Sequence, residues 1–246
     1  MPRGAPRSAR GQRRGGGGAA VAAPGELSTA EAEATAAEGA SALEGRPAAE
    51  VVAWAVERFG SRLCLTASMT DAVLIDVATR VDPGIEIVFL DTQYHFPETL
   101  ATVESVRRRY HPNLVVTRPD LPLDDLWRRD TDACCAARKV APLEAALAGK
   151  AAWLSGLRRV DSPDRATTPV VDVDRRGLVK VNPLVDWTDD DVEAYIAAND
   201  VPVNPLVAQG FPSVGCWPCT RAVAPGEDRR AGRWASSGKS ECGLHL

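Results

Sequence analysis

Leu63-Cys64-Leu65-Thr66-Ala67-Ser68-Met69-Thr70-Asp71 is the stretch on which the fold of this chain turns. Its apolar start reads as a buried strand running to Ala67, and its hydroxyl-bearing end reads as the lead into a helix over Asp71 to Thr79. The pattern then repeats: Ile85-Glu86-Ile87-Val88-Phe89-Leu90-Asp91 is a second strand, Phe96 to Tyr110 a helix, and Leu114-Val115-Val116-Thr117 a third strand. Strands and helices alternating through short connections imply a parallel α/β sheet with right-handed crossovers. In such sheets ligands bind at the carboxyl ends of the strands. Upstream, Val51, Val52, Trp54, Ala55, Val56 and Phe59 form the apolar face of a helix that starts near Pro47 and that Gly60 ends. Downstream, Ala151 to Ser155 is a strand, Val170 to Val181 a hairpin around Arg175-Arg176-Gly177, and Thr188 caps a helix running to about Ala198.

With 246 residues, 45% of them hydrophobic, the chain can bury a full core as one domain or two small ones. A net charge of −4 argues against a general nucleic-acid binder, and no run approaches the roughly 18 apolar residues of a membrane helix. Six cysteines, four of them in two clusters, in a chain without a convincing export signal point to a reducing, cytoplasmic setting and to metal or catalytic use. Residues 1–46 differ from the rest. Arg3, Arg7, Arg10, Arg13 and Arg14 lie among Gly and Ala and lead into an Ala/Glu stretch, a composition that reads as a disordered extension. Arg13-Arg14 lacks the apolar region of a twin-arginine signal. The folded domain is therefore expected over 47–246, with 220–246 an irregular, mobile C-terminal segment.

Three loops stand at the strands' carboxyl ends. Thr66 to Asp71 offers hydroxyls and backbone N–H groups to an anion, although Ser, Thr and Asp before a helix are more often simple caps. Leu90 to Glu98 crowds aromatic and polar groups together, and His95 reads either as a site residue or as a structural histidine. Gly156-Leu157-Arg158-Arg159 follows a strand, and paired arginines there suit a sulfate or phosphate better than a core. Asp120 to Asp132 reads as solvated surface around a buried Trp127, and Asp189 to Asp191 as complements of a helix dipole rather than a metal site.

Cys134-Cys135, the Cys-x-x-C of Cys216 and Cys219, and Cys242 near the terminus carry the chemistry. Zinc prefers ligands spaced by two to four residues, whereas in a cubane cluster each cysteine takes a different corner, so a vicinal pair tilts the reading from zinc to a [4Fe–4S] cluster. Buried cysteines used as small apolar residues, or a Cys-x-x-C disulfide, are the plainer alternatives; Cys64 is read as the former. Lys139, one turn beyond Cys135, points along the face that carries the cluster and there favours thiolates or an anionic substrate. Lys239 and His245 are expected, as neighbouring cations, to raise the thiolate fraction of Cys242.

These residues together make the chain resemble the assimilatory adenylyl-sulfate (APS) reductases, the iron–sulfur branch of the sulfonucleotide reductase family. The likeness runs from about Pro47 to the end. It rests on Cys134-Cys135, Gly156-Leu157-Arg158-Arg159, Gly215-Cys216-Trp217-Pro218-Cys219-Thr220, Gly232-Arg233-Trp234 and Glu241-Cys242-Gly243-Leu244-His245. Asp71-Ala72-Val73-Leu74, Leu90-Asp91-Thr92 and Tyr94-His95-Phe96 are similar to the actinobacterial members, while Gln93 departs from the glycine or other residue common at its place. The resemblance implies a Rossmann-like fold of the adenine nucleotide alpha hydrolase type. It implies that Cys242 attacks the sulfur of APS, that AMP leaves, and that thioredoxin or a similar dithiol releases sulfite from the S-sulfocysteine. It places Thr66, Ser68 and Asp71 against the nucleotide, Lys139 and Arg158 on the phosphosulfate, and Arg230, Arg233 and His245 on the closed tail. Cys134, Cys135, Cys216 and Cys219 become the ligands of a [4Fe–4S] cluster that does not carry the electrons. A homo-oligomer is compatible with this. The alternatives are reduction of the 3′-phosphorylated substrate (PAPS), an ATP pyrophosphatase or sulfurtransferase, whose Ser-Gly-Gly loop is absent, and a non-catalytic zinc or iron–sulfur interaction module.

Overall fold

The computed structural model describes residues 27–235 together with Lys239, Gly243 and Leu244. The apolar runs form the expected strands: β1 (Leu63–Ala67), β2 (Glu86–Leu90), β3 (Asn113–Thr117) and β4 (Ala152–Leu154). A hairpin adds β5 (Val171–Val173) and β6 (Val179–Val181). They assemble in the order β3-β2-β1-β4-β6-β5, parallel throughout except for β5, which runs antiparallel to β6. β1 is central, with Leu65 opposite Ile87 on one side and Leu154 on the other, and all three are fully buried. A strand closed in on both faces and both edges must be apolar throughout, which is why Leu63-Cys64-Leu65 carries no alternation.

Helix α2 (Ala48–Phe59) and α3 (Val73–Val81) pack on the sheet through Val51, Val52, Ala55, Val73 and Val77. Gly60, at φ +52, closes α2 as expected. α3 begins at Val73 rather than Asp71, because Asp71 pairs with Val203 in a short antiparallel bridge and its carboxylate accepts the Val73 N–H at 3.0 Å. α4 (Pro97–Tyr110) and α8 (Asp189–Asn199) are joined to α3 by Asp76, whose carboxylate accepts from Tyr110 Oη at 3.0 Å and Tyr195 Oη at 2.7 Å. Among the described residues no helix is long and apolar enough to cross a membrane.

Three expectations are corrected. The extension of residues 1–46 is not disordered from Ser28 onward: Thr29–Leu43 is a helix, α1, opened by a Ser28/Glu31 capping box. Its inner face is small, with Ala32, Thr35, Ala36 and Leu43 buried, so it reaches the core by close backbone approach rather than by large side chains. Residues 1–26 lie outside the described residues. The C-terminal stretch is packed through Trp234: Thr220 pairs with Arg233, Arg221 N–H donates to Gly232 O at 2.9 Å, and Trp234 is 2% exposed. Trp127, expected to be buried, is half-buried and meets Trp217 edge-on at 5.7 Å.

Between Asp120 and Asp132 the chain forms a short helix, α5 (Leu126–Arg129). Next come α6 (Thr131–Cys135), one π-helical turn (Ala136–Val140) and α7 (Ala141–Leu147). The wide turn has a local cause. Pro142 has no N–H and its ring crowds the carbonyl four residues back, so a regular turn does not fit; Ala141 N–H instead reaches Ala136 O, five residues back.

Candidate active site

The strand order reverses between β1 and β4, and the crevice beyond their carboxyl ends opens into a cavity of about 270 Å³. Thr66, Ser68 and Asp71 line it from the β1 loop, Arg158 from the β4 loop, and Lys139 from the π-helical turn. Arg230 and Arg233 reach it from the segment after Cys219. All seven described residues of the expected substrate site thus share one cavity. Cys242 and His245, expected as nucleophile and tail contact, lie outside the described residues. Leu244, two positions after Cys242, lines the cavity and packs beside Cys135 and Trp234.

Among the described residues, Lys139, Arg158, Arg165, Arg229, Arg230 and Arg233 line the cavity against Asp71 and Asp161. Six cations around two carboxylates select an anion. Arg158, 5% exposed, is held by Asp161 at 3.0 Å, Asp189 at 2.8 Å and the Thr188 carbonyl at 2.9 Å. Asp189 also accepts from Arg229, so one carboxylate fixes two cationic walls that come from different parts of the chain. Burial pushes the Asp71 carboxyl above its ordinary value, against the pull of the Val73 N–H and of Arg158 and Arg229. Arg229 and Asp161 were not singled out in the sequence. Arg229 is adjacent to Arg230, and Asp189 was read only as a dipole complement.

His95 lines the same cavity. A carbonyl can only accept, so the 2.8 Å contact to Leu90 O fixes the proton on Nε2. Burial pushes its pKa down, and Nδ1 is buried with no protein partner among the described residues. His95 is therefore a neutral imidazole whose Nδ1 can accept.

A second, smaller cavity is lined by Cys134, Cys135, Cys216 and Cys219, with Thr92, Tyr94, Arg138 and Lys139 in its wall. The Cys-x-x-C segment is brought there by a bridge between His95 and Cys216 and by Trp217 N–H donating to Tyr94 O at 2.8 Å. Gly215 lies beside it, and a Cβ there would stand 2.5 Å from the Arg233 guanidinium and displace it. Thr92 Oγ1 lies 3.2 Å from Cys216 Sγ. Burial, and then the neighbouring thiols of Cys135 and Cys216, push the Cys134 thiol up to about 11. Burial and Cys216 likewise raise Cys219, while Lys139 pulls it down. The four sulfurs thus act on one another as a single polar group. Among the described residues, no three Cys, His, Asp or Glu groups converge as one metal ion would require. Lys139 lines both cavities and lies 5.7 Å from the Trp234 ring, so the solvated fate common for a helix lysine does not apply. Cys64, buried in β1, is the apolar use expected of it, and burial drives its thiol to about 12.

Residues 62–222 match the family described as the phosphoadenosine phosphosulfate reductase domain. The chain is 48% identical over 229 residues to adenosine 5′-phosphosulfate reductase of Streptomyces coelicolor, covering 89% of this chain and 97% of that relative. It is 45% identical over 217 residues to the protein of the same name from Mycolicibacterium smegmatis, covering 85% and 92%. Among solved structures, phosphoadenylyl-sulfate reductase of Candida auris superposes with a TM-score of 0.69 at 30% identity, over 80% of this chain and 98% of that one. FMN adenylyltransferase of Candida glabrata shares the fold alone, with a TM-score of 0.54 at 13% identity over 71% and 64%.

Proposed function

This chain belongs to the phosphoadenosine phosphosulfate reductase domain family, and on that premise we propose that it reduces adenosine 5′-phosphosulfate to sulfite and AMP in sulfate assimilation, with Cys242 as nucleophile. The observation that carries the reading is the position of Leu244. A residue two places from Cys242 lies in the wall of a cation-lined cavity at the sheet's switch point. The Cys242 thiolate attacks the sulfur of the phosphosulfate, the S–O bond to the phosphate breaks, and AMP leaves with the electron pair. An external dithiol of the thioredoxin kind then attacks Cys242 Sγ. Sulfite leaves with the electron pair of the S–S bond, and the second thiol resolves the mixed disulfide, so that the dithiol supplies both electrons. Thr66, Ser68 and Asp71 hold the nucleotide. Lys139 and Arg158 hold the phosphosulfate, and Arg230 and Arg233 hold the tail, with His245 joining them.

Cys134, Cys135, Cys216 and Cys219 fit a [4Fe–4S] cluster. They are four thiols in one cavity wall, buried or half-buried, that share a space without converging on an ion-sized point. Divergent corners suit vicinal cysteines better than one tetrahedral zinc does. Held there, a cluster would supply a fixed charge beside the anion site, with Lys139 lining both cavities. The reaction belongs to the cytoplasm, where dithiol reductants are kept reduced.

The test is intact-protein mass after anaerobic, reduced protein meets APS or, separately, PAPS, with no dithiol present. A sulfonate adduct on Cys242 with APS alone is the expected result. An adduct with both assigns dual use, and none with either, on protein retaining its iron, refutes the nucleophile.

A further inference from the structure

We propose that Gln93 is a positioning residue for the cysteine cavity, its side-chain carbonyl holding the Arg138 guanidinium in the cavity wall. The inference rests on reading Cys134, Cys135, Cys216 and Cys219 as cluster ligands.

Arg138 is 1% exposed and lines the cavity with all four cysteines. A guanidinium cannot give up its charge, so each acceptor its buried N–H groups find matters, the more so because among the described residues Nε finds none. Nη1 donates to Gln93 Oε1 and Nη2 to Pro122 O; Asp124 Oδ2 lies 3.2 Å from Nη2, and the Tyr94 ring centroid lies 4.7 Å from Cζ. Tyr94 Oη and Asp124 secure each other, with Oη donating to Asp124 O at 2.7 Å and accepting from its N–H at 2.8 Å. The stretch read from sequence as solvated surface thus supplies half of a clamp on a buried cation. Gln93 and Tyr94 supply the other half.

Gln93 is the exceptional member of that clamp. Its φ is +68, in the left-handed region that favours glycine. Its N–H donates to Asp91 Oδ1 at 2.9 Å, which fixes the turn but leaves the preference for glycine in place. A strained backbone persists where another interaction holds it, and here that interaction is the bond to Arg138. The side chain keeps the cation in the cavity wall that the four cysteines share.

Gln93→Gly relieves the backbone and removes the acceptor, whereas Gln93→Met keeps the backbone cost and removes the acceptor alone. Each is compared with wild type anaerobically, with iron release to a ferrous chelator and thermal midpoint as readouts. The expected result is release about tenfold faster in both variants, as loss of a hydrogen bond to a buried charge implies, with the midpoint of Gln93→Gly unchanged or higher. Release within twofold of wild type in both overturns the inference while leaving the ligand assignment standing. Acceleration in only one variant assigns the effect to backbone strain or to side-chain bulk and overturns it equally. Wild-type protein purified anaerobically without iron overturns the cluster reading and this inference with it.

Discussion

Replacing Gly39 by alanine tests whether α1 is docked as the structure has it. A Cβ at Gly39 would stand 2.9 Å from Trp54 Cη2, 3.1 Å from Trp54 Cζ2 and 2.9 Å from Val171 Cγ2. The Trp54 ring cannot simply retreat, because it packs edge-on against Phe59 at 5.8 Å. Alanine gains about 1 kcal/mol of helix propensity over glycine, while overpacking costs about 1–3 kcal/mol. The net effect of Gly39→Ala is a loss of about 1 kcal/mol, and Gly39→Val, bulkier and β-branched, loses more. The damage has a functional route. Glu44, which ends α1, holds Arg159 with Oε1 2.7 Å from Nη1 and Oε2 3.1 Å from Nη2, and Arg159 adjoins the Arg158 of the anion cavity. Glu44 is half exposed and worth no more than about 1 kcal/mol to stability, so its release shows in substrate binding rather than in folding. The assays are urea denaturation, cleavage by a Glu-specific protease at Glu31, Glu33 and Glu38, and KM for APS. In the valine variant protease cuts α1 faster and KM rises severalfold. A Gly39→Ala protein stabilised by about 1 kcal/mol and no easier to cleave would refute the docking, since a free helix only gains from alanine.

Two further outcomes follow from buried polar groups. Lys139→Met raises KM for APS about tenfold or more, the cost of losing a charge-assisted contact, and leaves the calorimetric midpoint equal or higher because an apolar side chain of similar length replaces a buried cation; an unchanged KM would remove Lys139 from the site. Cys64 carries a pH dependence of known sign: its native thiol is held at about 12 against an ordinary 9.0, so above pH 9 the unfolded chain loses this proton first and stability falls as pH rises toward 12. The slope is at most about 1.4 kcal/mol per pH unit, and Cys64→Val should flatten it between pH 9 and 10.5 in guanidinium titrations; identical slopes in both proteins would contradict the assignment.

The sheet was legible because a doubly covered parallel strand must be continuously apolar, and Leu63-Cys64-Leu65 and Ile87-Val88-Phe89 are such runs. α1 was not legible, for the converse reason. Ala32, Ala36 and Gly39 bury backbone rather than side chain, and an Ala/Glu composition says nothing about whether a tight surface exists to receive it. The chain after Cys219 misled similarly, since its order comes from main-chain bonds and one buried ring, Trp234, rather than from any period. At the site, Thr66, Lys139 and Arg158 were picked out from sequence and share one cavity. Asp189, which cross-links Arg158 to Arg229, was hidden, because a carboxylate in a helix's first turn already has a sufficient local explanation.

The arrangement of charge around Trp234 links substrate binding to the tail. The ring is approached by Arg233 at 4.5 Å, Lys139 at 5.7 Å, Arg230 at 5.9 Å and Lys239 at 6.0 Å. Each attraction to the ring is worth about 1 kcal/mol, but like charges gathered at such distances repel one another in a partly desolvated wall. Lys139 comes from the π-helical turn, Arg230 and Arg233 from the loop after Cys219, and Lys239, which pairs with Asp132, from just before Cys242, so this repulsion acts between segments distant in sequence. An anion in the cavity offsets it, and so binds the packed arrangement more tightly than a parted one. By linkage, an anion bound in the cavity stabilises the packed arrangement of these four groups.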